Sequence, residues 1–138
     1  MIVDRRRSVG MSFRCAGYVP KWLRERTGFD DGAILQEVNG IRLVSPEGSL
    51  EVDAPGFVLD RARFDKTLAI HALESGADLA NAFVLRRDNG GVVLRRNGIQ
   101  AGFAGEVILG SDGPGSVIGK SIGQSNRTLM AAMQYEVG

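Results

Sequence analysis

Gly110-Ser-Asp-Gly-Pro-Gly-Ser116 follows directly on the apolar run 107–109, so an acid sits among glycines where a strand should end. Backbone without Cβ atoms at the carboxyl end of a buried strand can approach a phosphate or ribose closely. The free N–H groups of a following helix then favour an anion. That is the geometry of a nucleotide-cofactor site in an open α/β sheet. Asp112 has two readings here: it accepts hydrogen bonds from cofactor hydroxyls, or it caps the helix that begins near Gly115, as Ser111 and Ser116 also could.

Other residues could do chemistry. Asp4 ends an apolar strand ahead of Arg5-Arg-Arg7. In a dinucleotide-binding unit a ribose-binding acid sits at such a strand end, about 20 residues past a glycine fingerprint. That fingerprint cannot precede residue 4 within this chain. A competing match lies at Gly113-Pro-Gly-Ser-Val-Ile-Gly-Lys120 with Glu136 after it, but Gly119 and Gly123 weaken its helix by about 1 kcal/mol each. Arg61 follows Asp60, a natural N-cap, and a cation in a first helical turn opposes the macrodipole. Such a conflict implies an outside partner or a solvated side chain. Arg14-Cys-Ala-Gly17 places a thiol beside a cation, which lowers a cysteine pKa, although lone cysteines commonly serve as small buried hydrophobes.

The elements that must position these residues form a mixed α/β plan. Residues 1–4 read as a strand, 5–17 as a loop, and about 19–27 as a short helix with Pro20 in its first turn. A hairpin spans 41–52, and a helix runs from Arg61 to Ser75, stopped by Gly76. Strands at 78–87 and 91–96 flank Asp88-Asn-Gly-Gly91, and Asn97-Gly98 turns the chain again. A strand at 105–109, a short helix to about Gly123 and a strand at 129–137 complete the order. With no preceding unit for the first strand to pair with and no closing element after the last, the chain reads as an interior slice of a longer domain.

Bulk properties exclude several classes. The chain has 138 residues, 43% hydrophobic and 24% charged, with 17 basic against 16 acidic residues. A net charge of +1 makes no case for nucleic acid. One cysteine forbids an internal disulfide and suits a reducing, cytoplasmic setting. No apolar run nears the ~18 residues of a membrane helix, so peripheral contact is the most expected of a membrane. One His and one Cys make a zinc site of those ligands unsuitable, and His71 reads as a helix-face histidine.

Taken in order, Asp4-Arg-Arg-Arg, Phe13-Arg-Cys-Ala-Gly-Tyr-Val-Pro20, Leu59-Asp-Arg-Ala-Arg-Phe-Asp-Lys-Thr-Leu68 and Gly110-Ser-Asp-Gly-Pro-Gly-Ser116 carry a resemblance. The chain resembles the geranylgeranyl reductase family of FAD-dependent oxidoreductases, within the p-hydroxybenzoate hydroxylase-like flavoprotein superfamily. The Arg-Cys-Ala-Gly loop points to the reductase branch. The resemblance implies a partial FAD/NAD(P)-binding Rossmann-like domain with part of a substrate-domain sheet. Residues 1–33 and 57–123 would belong mainly to the FAD-binding part, and 34–56 and 124–138 to substrate-side strands.

By that resemblance FAD is the cofactor, and Asp4 binds its adenosine ribose. Arg14, Cys15, Ala16 and Tyr18 lie in the loop against the cofactor, with Cys15 near the flavin ring and the only candidate for a catalytic role. Arg61 contacts FAD from its helix start, Leu85 gives a backbone contact near the adenine, and Asp112 with Gly113 forms the Asp-Gly motif. The implied substrate is a polyprenyl lipid or similar apolar molecule reduced at C=C bonds, a step of lipid biosynthesis. Nothing matches the family's N-terminal phosphate loop, its ribityl-binding Gly-Asp segment or its C-terminal pocket motifs. The expectation is therefore a central fragment. The alternatives are a non-catalytic remnant, a module completed by a complementary chain, or a flavin monooxygenase or halogenase relative.

Overall fold

A computed structural model describes residues 1–11, 15–27 and 29–133. The chain divides into two compact units: Ser8–Gly76, and Met1–Arg7 with Ala77–Met133.

In the second of these, β1 (Ile2–Asp4) pairs in parallel with β5 (Leu79–Asn81), 77 residues on. The single strand expected at 78–87 is split. Ala82 turns its N–H to the carbonyl of Asp4 at 3.1 Å, and β6 (Phe83–Asp88) then joins a different, antiparallel sheet. There β6, β7 (Gly91–Arg96) and β8 (Ile99–Ala104) form a meander. Its second turn is Asn97-Gly98, with φ of 51° and 82°. Two consecutive positive φ values match the right-handed strand twist and reverse the chain at once.

That immediate reversal corrects the strand expected at 105–109. Pairing starts at Ile99 opposite Arg96 and uses up six-residue β7 by Ala104 opposite Gly91. Gly105 donates one last bond to Gly90 at 3.0 Å, after which Val107 and Leu109 are 79% and 89% exposed. The following helix, α3 (Val117–Ser121), has only five residues, too short for the competing dinucleotide fingerprint. It packs against β6. Residues 129–133 form no strand, and the remainder of that expected element lies outside the described residues, as does Glu136.

The unit Ser8–Gly76 is built on a long hairpin of β3 (Ile34–Ser45) and β4 (Gly48–Leu59), with β2 (Tyr18–Pro20) on the other side of β4. The hairpin is twice as long as its alternating tip suggested. Pro20 ends β2 opposite Gly56 instead of entering α1 (Lys21–Thr27). Pairing there requires a glycine, because a Cβ on Gly56 would lie 2.5 Å from the Tyr18 ring.

The apolar core of this unit is Phe29, Phe57 and Leu59, with Val19, Ile34 and Phe64 packed on it. Phe29 meets Phe57 and Phe64 edge-on, at 6.4 and 5.3 Å between centroids. Phe64 comes from α2 (Arg61–Glu74), whose first turn is held by the Asp60 carboxylate accepting from Arg63 N at 3.0 Å. Gly76, at φ 89°, follows its end. Leu68, Ile70 and Leu73 are about half exposed, so the loose apolar stripe on α2 buries only its Phe64 end. The parallel pair, the antiparallel sheets and the helices make this a mixed α/β fold.

Candidate functional site

The candidate residues divide between the two units. In Ser8–Gly76, the loop ahead of β2 meets the start of α2. Gly17 is buried at φ 77°, and its carbonyl accepts from Leu59 N at 3.0 Å. A Cβ at Gly17 would stand 2.7 Å from the Leu59 carbonyl and 3.7 Å from Arg61 Cγ. The absence of a side chain at Gly17 is therefore what lets this loop seat on the end of β4 and the first residue of α2. Cys15 and Ala16, just before it, are exposed. Tyr18 is half-buried and donates its hydroxyl to the Ala54 carbonyl at 3.2 Å. Arg14 lies outside the described residues.

Arg61 has a partner on its own helix. Its Nε donates to Asp65 Oδ1 at 3.0 Å and its Nη2 to Asp65 Oδ2 at 3.1 Å, with the two side chains 28% and 15% exposed. The cation that opposed the macrodipole is thus answered from one turn along. The i, i+4 spacing of Arg61 and Asp65 was the signal that could have revealed this pair.

In the other unit, Asp4 ends β1 with its carboxylate taken by Arg6. The Arg6 N–H donates at 2.8 Å, its Nε at 3.2 Å and its Nη2 at 2.9 Å. Asn81 donates to the backbone carbonyls of Asp4 and Arg6 at 3.1 and 2.5 Å, pinning this turn to β5. Dehydration is the largest influence on Asp4 and pushes its carboxyl up. The hydrogen bonds and charge of Arg6 together outweigh it and hold the group below its ordinary value. A ribose approaching Asp4 meets a carboxylate kept ionised, already sharing its oxygens with Arg6.

Asp112 caps α3. Its carboxylate accepts from the Ser116 hydroxyl, from Val117 N at 2.5 Å and from Ile118 N at 3.3 Å. The Ser116 bond is the largest influence and lowers the carboxyl; partial dehydration opposes it, and the Val117 N–H adds to the lowering. A depressed folded pKa gives stability that is present above the unfolded value, near 3.8, and lost as pH falls through the folded one. The Val117 and Ile118 amide resonances are therefore expected to shift with a midpoint below that of an ordinary aspartate. A midpoint at or above it means the cap does not form in solution. Gly113, at φ 83°, has nothing within 4 Å of where a Cβ would stand, and Leu85 is half-buried on β6.

The polar candidates thus stand at a strand end, a glycine turn and a helix start, the positions that α/β cofactor proteins use. The residues fit a flavin dinucleotide unequally. The Arg61 side chain stays 28% exposed, whereas the Asp112 oxygens are engaged by its own helix. Among the described residues no group of His, Cys, Asp and Glu could hold a metal ion, and no helix is long and apolar enough to cross a membrane.

These features define a mixed α/β protein with cofactor-type strand ends and loops. Its relatives make that class specific. Digeranylgeranylglycerophospholipid reductase 2 of Methanosphaera stadtmanae is 29% identical, covering 99% of this chain and 40% of its own length. Digeranylgeranylglycerophospholipid reductase 1 of Methanopyrus kandleri is 33% identical, with the same two coverages. An uncharacterised protein from the nifH2 5′ region of Methanosarcina barkeri is 30% identical over 89% of this chain and 74% of itself. A solved geranylgeranyl bacteriochlorophyll reductase-like protein from Thermoplasma acidophilum superposes with a TM-score of 0.58 at 28% identity, covering 72% of this chain and 29% of that one. No protein-family model matches. The chain belongs to the geranylgeranyl reductase family, and it spans about two fifths of the length of the reductases it matches.

Proposed function

We propose that this chain forms the middle of the flavin cradle of an FAD-dependent reductase acting on C=C bonds of a polyprenyl lipid or similar apolar substrate. The seating of Gly17 on Leu59 carries this reading, because it brings the Cys15–Tyr18 loop to the start of α2, where the Arg61 side chain is partly exposed. Two relatives named as lipid reductases support the substrate class.

In this reading Arg61 and the exposed loop backbone at Cys15 and Ala16 contact FAD; Asp4 binds the adenosine ribose, Leu85 gives a backbone contact near the adenine, and Asp112 with Gly113 forms the Asp-Gly motif. Bound flavin supplies hydride chemistry; the protein residues bind, orient and desolvate it. Cys15 is the thiol nearest the ring in this assignment. Residues 1–33 and 57–123 serve the cofactor, and 34–56 with 124–138 the substrate. The hairpin tip suits that role: Ile41 pairs with Val52 and Leu43 with Leu50 on one face, all at least 40% exposed, with the Arg42–Glu51 ion pair on the other. The protein works in the cytoplasm, in peripheral contact with a membrane.

Flavin-fluorescence titration of the purified chain tests this. The protein is expected to be colourless as purified and to quench FAD weakly but saturably. No quenching up to about 1 mM, a free energy near 4 kcal/mol, removes the cradle reading. Stoichiometric co-purifying FAD would mean that these residues hold the cofactor without a phosphate loop.

A further inference from the structure

We infer that Asp65 is a positioning residue, holding the Arg61 guanidinium in the plane in which it meets the cofactor. The inference rests on the flavin reading above and adds to it a residue that contacts no ligand.

The order of the two charges is the first observation. On a helix, an acid placed N-terminal to its cation is the favourable arrangement, because both charges then agree with the macrodipole. Here the order is reversed, with Arg61 in the first turn of α2 and Asp65 one turn later. The pair is thus a poor device for stabilising the helix. The second observation is its geometry. Both carboxylate oxygens are used, by Nε and Nη2, and Asp65 is the more buried partner. An arginine side chain has four rotatable torsions, and a two-point bond to a carboxylate leaves its plane little freedom. The third is the neighbour: a side chain at Gly17 would reach within 3.7 Å of Arg61 Cγ, so the loop passes close to the arginine's stem. The Nη1 edge is left out of the Asp65 bond. A flexible surface cation has become an oriented donor beside the loop.

A double-mutant cycle on the full 138-residue chain tests this, with FAD as the probe. Asp65→Asn is expected to weaken FAD binding about tenfold, the scale of one charge-assisted hydrogen bond. In an Arg61→Gln background the same change is expected to have less than about a twofold effect. Equal losses in both backgrounds mean a general structural role and overturn the inference. So does FAD binding that is unchanged or tighter in Asp65→Asn, since removing an acid then only strengthens the local positive field. Asp65→Glu, which keeps the charge but moves the oxygens, is expected to fall between, and serves if the Asn variant folds poorly.

The cofactor-free protein gives a separate readout: a slowly exchanging Arg61 Nε–H resonance, lost in Asp65→Asn. Its absence from the wild-type chain also overturns the inference. If the resonance is present but FAD does not bind the wild type, the flavin reading itself fails and this inference goes with it. If FAD binds normally and only the cycle fails, the flavin reading stands alone.

Discussion

Phe57→Ala is expected to leave the unit Ser8–Gly76 without a cooperative unfolding transition. Phe57 is 3% exposed and central to the core, with Phe29 edge-on to it and the Arg24 guanidinium 5.7 Å over its ring. Its strand, β4, pairs on both sides, opposite Val19 and Glu37, so the side chain ties β2 and β3 to one packing centre. Truncating a buried Phe costs about 3–5 kcal/mol. A unit with so small a core belongs at the low end of the usual range of about 5–15 kcal/mol for whole domains. The loss therefore approaches the total. Urea unfolding followed by near-ultraviolet circular dichroism measures it. A midpoint shift under about 0.5 M, near 1 kcal/mol at ordinary slopes, would show that the core is elsewhere. Leu43→Ala, at a 55% exposed position on the hairpin tip, is the contrasting change and should cost well under half as much.

Gly17→Ala should disturb both the fold and the site. An L-residue at φ 77° carries about 1–2 kcal/mol of steric strain. The new methyl would also stand 2.7 Å from the Leu59 carbonyl, so the loop must lift and the Leu59–Gly17 hydrogen bond must lengthen. The expected total is about 2–3 kcal/mol of stability, adding a lost hydrogen bond of about 1 kcal/mol to the strain, with FAD binding weakened as the loop leaves Arg61. Gly76→Ala separates the two causes. That glycine has a similar φ, 89°, and nothing within 4 Å of a built Cβ, so it carries the strain without the clash. Equal destabilisation by the two substitutions would mean that the loop does not seat on β4.

The candidate residues differ in how far their surroundings are local in sequence. Asp60 and Gly76 bound α2 through contacts within a few residues, and both were legible. The Asn97-Gly98 reversal was legible for the same reason, since positive φ at two consecutive residues is a local steric property. Asp112 was legible only as a choice. Its place in the chain suits a cofactor contact or a helix cap, and in the fold its oxygens accept from the N–H groups of residues 117 and 118. Arg61 showed its conflict with the dipole, but the resolution by Asp65 was overlooked although it lies one turn away.

The amino-acid order alone determined the family, the cap and stop of α2, the tight turns and the residue types placed at strand ends. Each depends on side chains and dihedrals that interact over fewer than about five residues, or on motif order along the chain. Tertiary structure decided the rest. It matched β1 with a strand 77 residues later, ended β8 where its six-residue neighbour ran out, and brought Gly17 against Leu59. Those outcomes depend on which distant backbone N–H and C=O groups remain to be paired, and on where a missing Cβ permits contact. No window of sequence contains both halves of such a bond.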